Sequence, residues 1–567
     1  MSQRRLWIQV GLIFVVLYLA LLWARPMVTP DEARYGAMAT EMLASGEWFK
    51  LRMLGFTYFE KPPFGTWCIA ASVATFGHNA FAIRLPSAIA SLITALAAGM
   101  VASKMTSRRV SAPLAAMVQL TMVFPMVIGT VAIFDSIFTA WTTLAIAFFF
   151  VATESTHRPR AAWLVASGVA AGLAFLTKGL LGLAIPALAA FTYLCWQKRW
   201  RDVFTMPWLP LLGATLSAGP LAWKLHQSEP EFWNYFVLVE HVRRFASPDS
   251  NQHLQPWWLL SVVLLGGSTF WILIAPRAWK ALRGHLALRS GLRFCWCWIV
   301  PPLLAMSLSK GKLPTYVLPL FPAIAVMLSI GLLQWREGTS TSRDRATWWV
   351  QWIVRCLAVA MFAFALADWL HWGAPILWLD HSTTRWFLFG IVFLAWSWLD
   401  EFAHQATAAV QWLVRTAWVA VPLLACVHVF MPTALLSPTK APWDILQQAE
   451  DALRNSIRVV AINPMGHSIG WVSGRTDIVI LGDPGEFDNE LGIPQESQRL
   501  ISVEQLGNLL PQWLTEGSVT LALGTDRAAG LAKRFSTQVQ SQLTDRSLTV
   551  LTLRSITVDP DTHSTQP

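Results

Sequence analysis

The chain has 567 residues, of which 54% are hydrophobic and 13% are charged, and its formal net charge is +10. Soluble domains usually carry about 25% charged residues, so this composition excludes an ordinary water-soluble globule. In a soluble protein the excess of cations would suggest nucleic acid as a partner. Here the cations are distributed across a membrane, and no nucleic-acid partner is expected.

The first predicted element is an apolar helix near residues 6–24, which follows the basic start MSQRR. The stretch LLWARPM offers no small-x-small cleavage site, so we expect a retained membrane helix instead of a signal peptide. Later apolar runs, long enough to cross about 30 Å of hydrocarbon, predict a polytopic protein of about thirteen transmembrane helices. The others are expected near residues 81–103, 112–130, 136–153, 161–177, 180–196, 207–224, 257–275, 294–308, 315–334, 348–369, 385–399 and 408–430.

Most basic residues fall into alternate connections between these helices, for example Arg4, Lys104, Arg158, Lys198 and Arg277. By the positive-inside rule this side is cytoplasmic, and the N-terminus lies there. An odd number of spans then places the region after about residue 431 on the opposite side of the membrane.

The first loop on that opposite side covers residues 25–80 and begins with a helix. Thr29 is the expected capping residue, Pro30 occupies the first turn, and Asp31 and Glu32 lie at the positive end of the helix dipole; ASGEW ends the helix. Both acids could serve only as caps. Two adjacent acids leave one carboxylate facing elsewhere, however, so Asp31 is a candidate functional residue.

The same loop contains YFEKPPF, residues 58–64, in which an acid and a base are adjacent. Pro62 and Pro63 fix the backbone and restrict the residue before them. Adjacent residues in an extended chain point in opposite directions. Glu60 and Lys61 are therefore expected to serve two different targets instead of each other.

Charged and polar residues also lie beside glycine or proline breaks in three later hairpins on this side. They are Asp135 in GTVAIFD, Lys178 in FLTKGLLG, and Lys310, Lys312 and Tyr316 in LSKGKLPTY. Each could be a turn residue whose side chain reaches the headgroup level. All three hairpins open toward the same, non-cytoplasmic side of the membrane. The positive-inside rule leads us to expect few cations on that side, so the lysines there call for another explanation. This arrangement favours an anionic, phosphorylated ligand.

The longest loop on this side, residues 225–256, contains EPEFWNYFVLVEHVRRF. His241 is competent to bind a metal, although a lone histidine is more often a hydrogen-bonded structural residue. Arg243 and Arg244 supply guanidinium groups suited to phosphate.

The chain becomes polar from residue 432 onward. The runs IRVVAIN, DIVIL, SVTLAL and SLTVLTLRS read as strands, which predicts a soluble α/β domain at 432–567 beside a transmembrane domain at 1–431. Asp483 and Glu486 in GDPGEF are predicted to be turn residues, and no catalytic constellation is recognised in this domain. Its expected role is to cover or support the membrane cavity.

Seven motifs occur in the order found in the bacterial lipid A aminoarabinose transferases: TPDEARY, EMLASGEW, YFEKPPFGTW, GTVAIFD, LTKGLLGLAIP, EPEFWNYFVLVEHVRRF and SKGKLPTY. The chain resembles this family from end to end. The family belongs to the GT-C glycosyltransferases, which include protein mannosyltransferases. Pro63 and Phe64 depart from the family pattern, where smaller or aliphatic residues are common, and this concerns the shape of the lipid groove.

The resemblance implies a polytopic GT-C fold with a C-terminal periplasmic α/β domain in the bacterial inner membrane. It implies transfer of 4-amino-4-deoxy-L-arabinose from undecaprenyl phosphate to a phosphate of lipid A at the periplasmic face. That change lowers the negative charge of the cell surface and gives resistance to polymyxin and other cationic peptides. We expect a monomer that works among membrane lipids and inverts the anomeric configuration.

Site residues carried over from the family or selected from the sequence fall into four groups. The catalytic candidates are Asp31, Lys61 and Asp135; the donor-phosphate ligands are Arg34, Lys61 and Tyr316; the acceptor or cavity residues are Tyr58, Lys178, Arg243, Arg244, Lys310 and Lys312; and the metal ligands, for zinc in the family, are Glu60 and His241.

Two other functions compete with this one. The first is a polyprenyl-phosphate-dependent glycosyltransferase with another sugar or acceptor, such as a protein hydroxyl. The second is a lipid carrier without chemistry. Carriers usually hold their charged site at the bilayer midplane and often show inverted repeats. Here the charges lie in loops and no repeat is found, which favours an enzyme.

Overall fold

The computed structural model describes residues 3–370 apart from 21, 24, 156, 244–253, 270, 310 and 339–344, a few positions between 387 and 394, and residues 442–487 and 493–555. The chain divides into two compact units. The helical unit comprises Met1–Arg25, Glu60–Gly65 and Arg84–Met431, and the α/β unit comprises Pro26–Phe59, Thr66–Ile83 and Pro432–Pro567.

The helical unit is built from apolar helices joined by short connections. In chain order its helical segments are Gln3–Phe14, the π-helix Val15–Leu19, Ala80–Thr106, Ser111–Thr121, Val123–Gly129, Phe134–Thr153, His157–Lys178, Leu181–Trp196, Trp200–Thr205, Trp208–Ser228, Phe232–Asn234, the π-helix Tyr235–Arg243, Leu259–Gly267, Trp271–Ile274, Ala275–Leu282, Leu286–Leu288, Arg289–Leu308, Pro314–Leu320, Phe321–Gly338 and Arg345–Trp369.

Five helices of the described residues are long and apolar enough to cross a membrane: Ala80–Thr106, Phe134–Thr153, Pro159–Lys178, Leu286–Leu308 and Pro314–Trp335. Two bent helix pairs raise this number to seven if each pair counts as one span. The polytopic helical architecture is therefore confirmed, whereas the number thirteen stays a prediction. The helices predicted near 385–399 and 408–430 lie almost entirely outside the described residues.

The helix predicted near 112–130 is broken instead of continuous. Its two parts, Ser111–Thr121 and Val123–Gly129, meet at an angle of 73°, and Met122 between them is extended, with φ −72° and ψ 135°. The cause is Pro125, because a proline ring removes one helical hydrogen bond and collides with the carbonyl group four residues earlier.

Glycines bring the helices His157–Lys178 and Trp208–Ser228 together at close range. A Cβ atom at Gly168 would overlap the carbonyl oxygen of Pro210, and one at Gly213 would overlap that of Val165. Small residues at such contacts let helix backbones approach each other within a membrane. A Cβ atom at Gly172 would likewise meet Ala214. Because the contacts of Gly168 with Pro210 and of Gly172 with Ala214 advance together, the helices run parallel and their N-terminal ends lie at the same end of the unit.

The α/β unit contains a six-stranded sheet and the helices around it. The strands, in spatial order, are Leu500–Ile501, Val479–Leu481, Arg458–Ile462, Val519–Gly524, Leu548–Leu553 and Val539–Asp545. The first four are parallel and the last two are antiparallel additions. Its helices in the C-terminal region are Trp443–Gln448, Glu450–Asn455, Asn463–Ser473, Pro494–Ser497, Val503–Glu516 and Thr525–Arg534. The four predicted strands and the α/β class are confirmed.

The first loop contributes further elements to this unit. They are the helix Asp31–Ser45, a hairpin of Arg52–Met53 with Phe56–Thr57, and most of the helix Phe64–Phe76, which the sequence reading missed. The predicted end of the Asp31 helix is confirmed, since Gly46 adopts φ +69° there, a conformation that favours glycine.

The capping prediction for Thr29 is wrong. Pro30 is the residue before the helix, and the Thr29 hydroxyl shares a 2.5 Å hydrogen bond with the Ser468 hydroxyl. The side chain that hydrogen-bonds a backbone N–H before this helix is that of Glu32, whose Oε2 atom accepts a hydrogen bond of 2.9 Å from the Val28 N–H. Glu32 is buried, whereas the side chain of Asp31 is 56% exposed.

Candidate active site

In the helical unit, an ion pair joins the ends of two consecutive membrane-spanning helices. Asp135 lies in the first turn of Phe134–Thr153, and Lys178 is the last residue of His157–Lys178. An acid at a helix start and a base at a helix end both suit the helix dipole. Because the two helices run antiparallel, these ends meet. Lys178 Nζ lies 2.5 Å from Asp135 Oδ1, and both side chains are nearly buried.

The segment Pro314–Leu320 adds two groups to this pair. The amine of Lys178 lies 5.5 Å from the centre of the Tyr316 ring, a geometry in which the ring face attracts a cation. The Thr315 hydroxyl hydrogen-bonds the Asp135 carboxylate. Three of the residues predicted from separate hairpins, Asp135, Lys178 and Tyr316, therefore come together.

Lys61 belongs to the same region. Its charge acts on Asp135, and its segment is held there by packing, because the space for a Cβ atom at Gly65 is filled by the Phe134 ring. Phe64 also packs against Trp141, with 6.2 Å between the ring centres. We call Lys61, Asp135, Lys178 and Tyr316 the basic cluster.

The expectation that Glu60 and Lys61 point away from each other is wrong. Lys61 Nζ lies 3.4 Å from Glu60 Oε2, and the two side chains are 18% and 21% exposed. The prolines restrict the backbone, but both side chains are long enough to meet beside it. Because both side chains are mostly buried, the effective dielectric constant around them is lower than in water, and this strengthens the attraction between the two opposite charges.

The other predicted cations have different positions or lie outside the description. Lys312 is buried and donates a hydrogen bond of 3.0 Å to the carbonyl oxygen of Gln255, which ties two loops together. Lys310 and Arg244 lie outside the described residues, while His241 and Arg243 lie in the π-helix Tyr235–Arg243 with their side chains outside the description.

The predicted zinc site stays a prediction. Among the described side chains, no group of three or more His, Cys, Asp and Glu residues could hold a metal ion. Glu60 is described and pairs with Lys61, but the second implied ligand, His241, is not described beyond its backbone.

In the α/β unit, Arg34 is the centre of a second charged group. Its guanidinium lies 2.9 Å from Glu486 Oε2 and 3.7 Å from Asp31 Oδ1, and only 12% of the side chain is exposed. Burial works against the charge of Arg34, but the carboxylate of Glu486, with smaller contributions that include Asp31 and the nearby Tyr58, keeps its pKa above the ordinary value. Tyr58 is itself buried.

Glu486 also contacts a histidine, so the prediction that Glu486 is only a turn residue is wrong. Its Oε1 atom lies 2.6 Å from Nε2 of His467, which is fully buried and stacks on Phe487. Asp483 does act as a turn residue, since it accepts a hydrogen bond from the Gly485 N–H. A polar His467 inside the apolar helix Asn463–Ser473 was the available signal, but nothing local linked it to Arg34.

Two family models match separate parts of the chain. The model described as dolichyl-phosphate-mannose-protein mannosyltransferase matches residues 8–236. The model described as the C-terminal domain of arabinosyl transferase ArnT matches residues 437–552.

Similar proteins cover nearly the whole chain. An undecaprenyl phosphate-alpha-4-amino-4-deoxy-L-arabinose arabinosyl transferase from Edwardsiella ictaluri is 32% identical over 91% of this chain and 93% of its own length. A second, from Proteus mirabilis, is 30% identical over 96% of this chain and 97% of its own length.

A solved structure shows the same fold. The crystal structure of ArnT from Cupriavidus metallidurans bound to undecaprenyl phosphate covers 97% of this chain and 98% of its own, with a TM-score of 0.79 and 22% identity. The expected GT-C glycosyltransferase fold is therefore confirmed. With relatives above 30% identity over nine-tenths of its length, the chain belongs to the family of undecaprenyl phosphate-alpha-4-amino-4-deoxy-L-arabinose arabinosyl transferases.

Proposed function

We propose that this protein transfers 4-amino-4-deoxy-L-arabinose from undecaprenyl phosphate to a phosphate group of lipid A. The observation that carries the proposal is the basic cluster, which lies at the ends of membrane-spanning helices, where a lipid-linked phosphate can reach it. The names of the relatives give the donor: they are arabinosyl transferases that use an undecaprenyl phosphate-linked aminosugar.

In this proposal Lys61 and Tyr316 of the basic cluster bind the donor phosphate, and Arg34 keeps the donor-phosphate role that the family resemblance implies for it. When the bond between the sugar and the phosphate breaks, its electron pair stays on the phosphate oxygen. Lys61 stabilises the charge that develops there. Fixed cations aimed at developing charge in a site shielded from water are a large source of rate acceleration.

The acceptor needs positioning more than activation. A phosphate on lipid A is already ionised near neutral pH, so one of its oxygen atoms attacks the anomeric carbon without a proton being removed first. Lys178, held by Asp135, is a fixed cation for this acceptor, and Arg243 and Arg244 are further candidates. A single displacement inverts the anomeric configuration.

Asp31 has a supporting role in this scheme. Its exposed carboxylate lies 3.7 Å from the Arg34 guanidinium, so it orients Arg34 or holds the amino group of the sugar. If zinc binds, Glu60 and His241 are the residues implied for it; the pairing of Glu60 with Lys61 means that such a site adjoins a donor-phosphate ligand.

The proposed setting is the inner membrane, with about thirteen spans, a cytoplasmic N-terminus, and the site and C-terminal domain in the periplasm. The charge distribution of the sequence supports this topology. The working form is proposed to be a monomer.

A second acceptor class is kept because residues 8–236 match the mannosyltransferase model. The test uses purified protein in lipid nanodiscs with labelled aminoarabinosyl undecaprenyl phosphate and either lipid A or a serine- and threonine-rich peptide. Labelled lipid A with inverted configuration by NMR is expected. Labelled peptide would favour the mannosyltransferase-like reaction, and donor binding without any product would favour a lipid carrier.

A further inference from the structure

A cavity of about 600 Å³ lies at the end of the helical unit opposite the basic cluster. It is lined by Arg160, Ala161, Arg201, Asp202 and Thr205, among others. Arg160 is near the start of the helix that ends in Lys178, and the apolar span between them has 20 residues. At about 1.5 Å per residue this is about 30 Å, the thickness of the hydrocarbon core. The cavity and the basic cluster therefore face opposite surfaces of the membrane.

The cavity is built by an ion-pair network. Arg160 donates to one oxygen of Asp202 and Arg199 donates to the other, each at 2.6 Å. Burial works against ionisation of Asp202, but these hydrogen bonds hold its pKa below the ordinary value, so the carboxylate stays charged. Arg201 lines the same cavity without pairing with this carboxylate, so three arginines outnumber one acid and the site keeps an excess of positive charge.

Arg201 is the third arginine at this cavity. Its side chain is exposed at the cavity, and no ion pair to another described residue is formed. Thr205 lies one helical turn further along the helix Trp200–Thr205 and lines the same cavity. The Thr205 hydroxyl donates its hydrogen bond, of 2.9 Å, to the backbone carbonyl oxygen of Arg201. The Arg201 guanidinium is therefore the donor that suits the oxygens of a phosphate group here.

The neighbouring aromatic side chains place this cavity at the lipid headgroup level. Trp200 and Phe204, also spaced i, i+4, are 58% and 74% exposed, and Trp196 and Trp208 on the flanking helices are 51% and 68% exposed. Exposed tryptophans beside arginines at the ends of membrane helices are typical of the membrane–water interface. The short helix thus carries exposed aromatic rings at Trp200 and Phe204 beside the exposed arginine Arg201.

We propose that this cavity binds the headgroup of an anionic phospholipid, on the membrane face opposite the proposed transfer site. The charge excess, the exposed guanidinium of Arg201, and the aromatic rings at headgroup level together favour a lipid over a soluble anion. Basic pockets between membrane helices on the cytoplasmic side bind such headgroups in other proteins. The lipid anchors the ends of the helices His157–Lys178 and Trp208–Ser228 and has no part in the transfer chemistry.

The test is native mass spectrometry of the full-length protein in detergent with added phosphatidylglycerol, phosphatidylethanolamine or inorganic phosphate. One phosphatidylglycerol is expected to remain bound, and Arg201→Ala is expected to weaken its binding about fivefold, the contribution typical of a basic residue near anionic lipid. Ala161→Phe, which fills the cavity without changing charge, is expected to abolish it. Transfer activity is expected to be unchanged in both variants.

Arg109→Ala is the matched control, since it removes an exposed arginine elsewhere on the predicted cytoplasmic side. Equal weakening by Arg109→Ala and Arg201→Ala would show diffuse surface attraction and overturn the site. Equal binding of phosphatidylethanolamine would overturn the preference for anionic lipid. Displacement of the lipid by millimolar inorganic phosphate would reassign the cavity to a soluble phosphate.

Discussion

The Asp135–Lys178 pair offers a way to separate a structural role of the basic cluster from a functional one. The perturbation is a cycle of three variants, Asp135→Asn, Lys178→Met and the double variant. The side chains are only 13% and 12% exposed, so removing one partner leaves an unpaired charge in nearly dry surroundings. This costs about 3 kcal/mol, whereas removing both charges is close to neutral.

Stability is measured by thermal unfolding of the purified variants in detergent. At roughly 2 °C per kcal/mol for a long chain, each single variant should unfold about 6 °C below the native protein. The double variant should recover most of that difference. Single variants as stable as the native protein would refute the reasoning about the buried pair.

Transfer of the labelled sugar is measured on the same three preparations. Lys178→Met and the double variant should lose about 100-fold or more in rate, the loss typical of removing one fixed electrostatic group, because neither has a cation for the acceptor. Asp135→Asn should also lose rate, because Lys178 is no longer held by its partner. A double variant that recovers transfer together with stability would mean that the pair is only structural.

Three further predictions concern other parts of the molecule. Glu486→Ala removes the carboxylate that lies 2.9 Å from the Arg34 guanidinium and should raise the KM for the donor about tenfold, the cost of one charged hydrogen bond. Asp483→Ala, in the same turn, should leave this KM unchanged. Equal effects of the two variants would contradict a role of Arg34 in binding the donor. Gly168→Ala introduces a clash with the backbone of the neighbouring helix and should lower the stability measured by thermal unfolding by about 1–3 kcal/mol. Gly219→Ala, whose new methyl group meets only an ordinary contact, should lower it little. An equal loss in both variants would argue against the close helix contact. Burial raises the pKa of Glu41 above its ordinary value of 4.5. The folded state therefore binds this proton more tightly than the unfolded state, and it loses stability as the pH rises from 4.5 through the folded pKa. Glu41→Gln should unfold at a higher temperature than the native protein at pH 8 and at the same temperature below pH 4, whereas a constant difference at all pH values would contradict this.

Apolar runs made the membrane helices predictable, because crossing hydrocarbon demands long stretches of one composition. Pro125 was the visible signal for the break at Met122, but a proline inside an apolar run does not show whether the helix kinks or stops. The helix Phe64–Phe76 was missed because it follows two prolines in a segment read as a loop.

The strands of the α/β unit divide in the same way. The four apolar strands were recognised, whereas Leu500–Ile501 has too few residues to show a pattern. Val539–Asp545 was missed because it is an edge strand with polar residues on its more exposed face, so it lacks the apolar run of a central strand.

The candidate site was predictable where a charge stood alone in an apolar hairpin. Such charges are costly in a membrane and signal function by their presence, as Asp135 and Lys178 do. The contacts of Arg34 with Glu486 could not be foreseen, because the two residues are more than 400 positions apart and no local pattern links them. The contact of Glu60 with Lys61 depends on side-chain conformations that backbone rules leave free.

The central claim is transfer of aminoarabinose to lipid A, and mass spectrometry of lipid A from cells tests it most directly. Cells that lack the gene should contain unmodified lipid A, and the native gene should restore a species carrying one or more aminoarabinose groups. Those cells should also resist polymyxin, since a lower negative charge attracts cationic peptides less strongly. Lys61→Ala, with normal protein levels, should restore neither. Lipid A that is identical with and without the native gene would contradict the account.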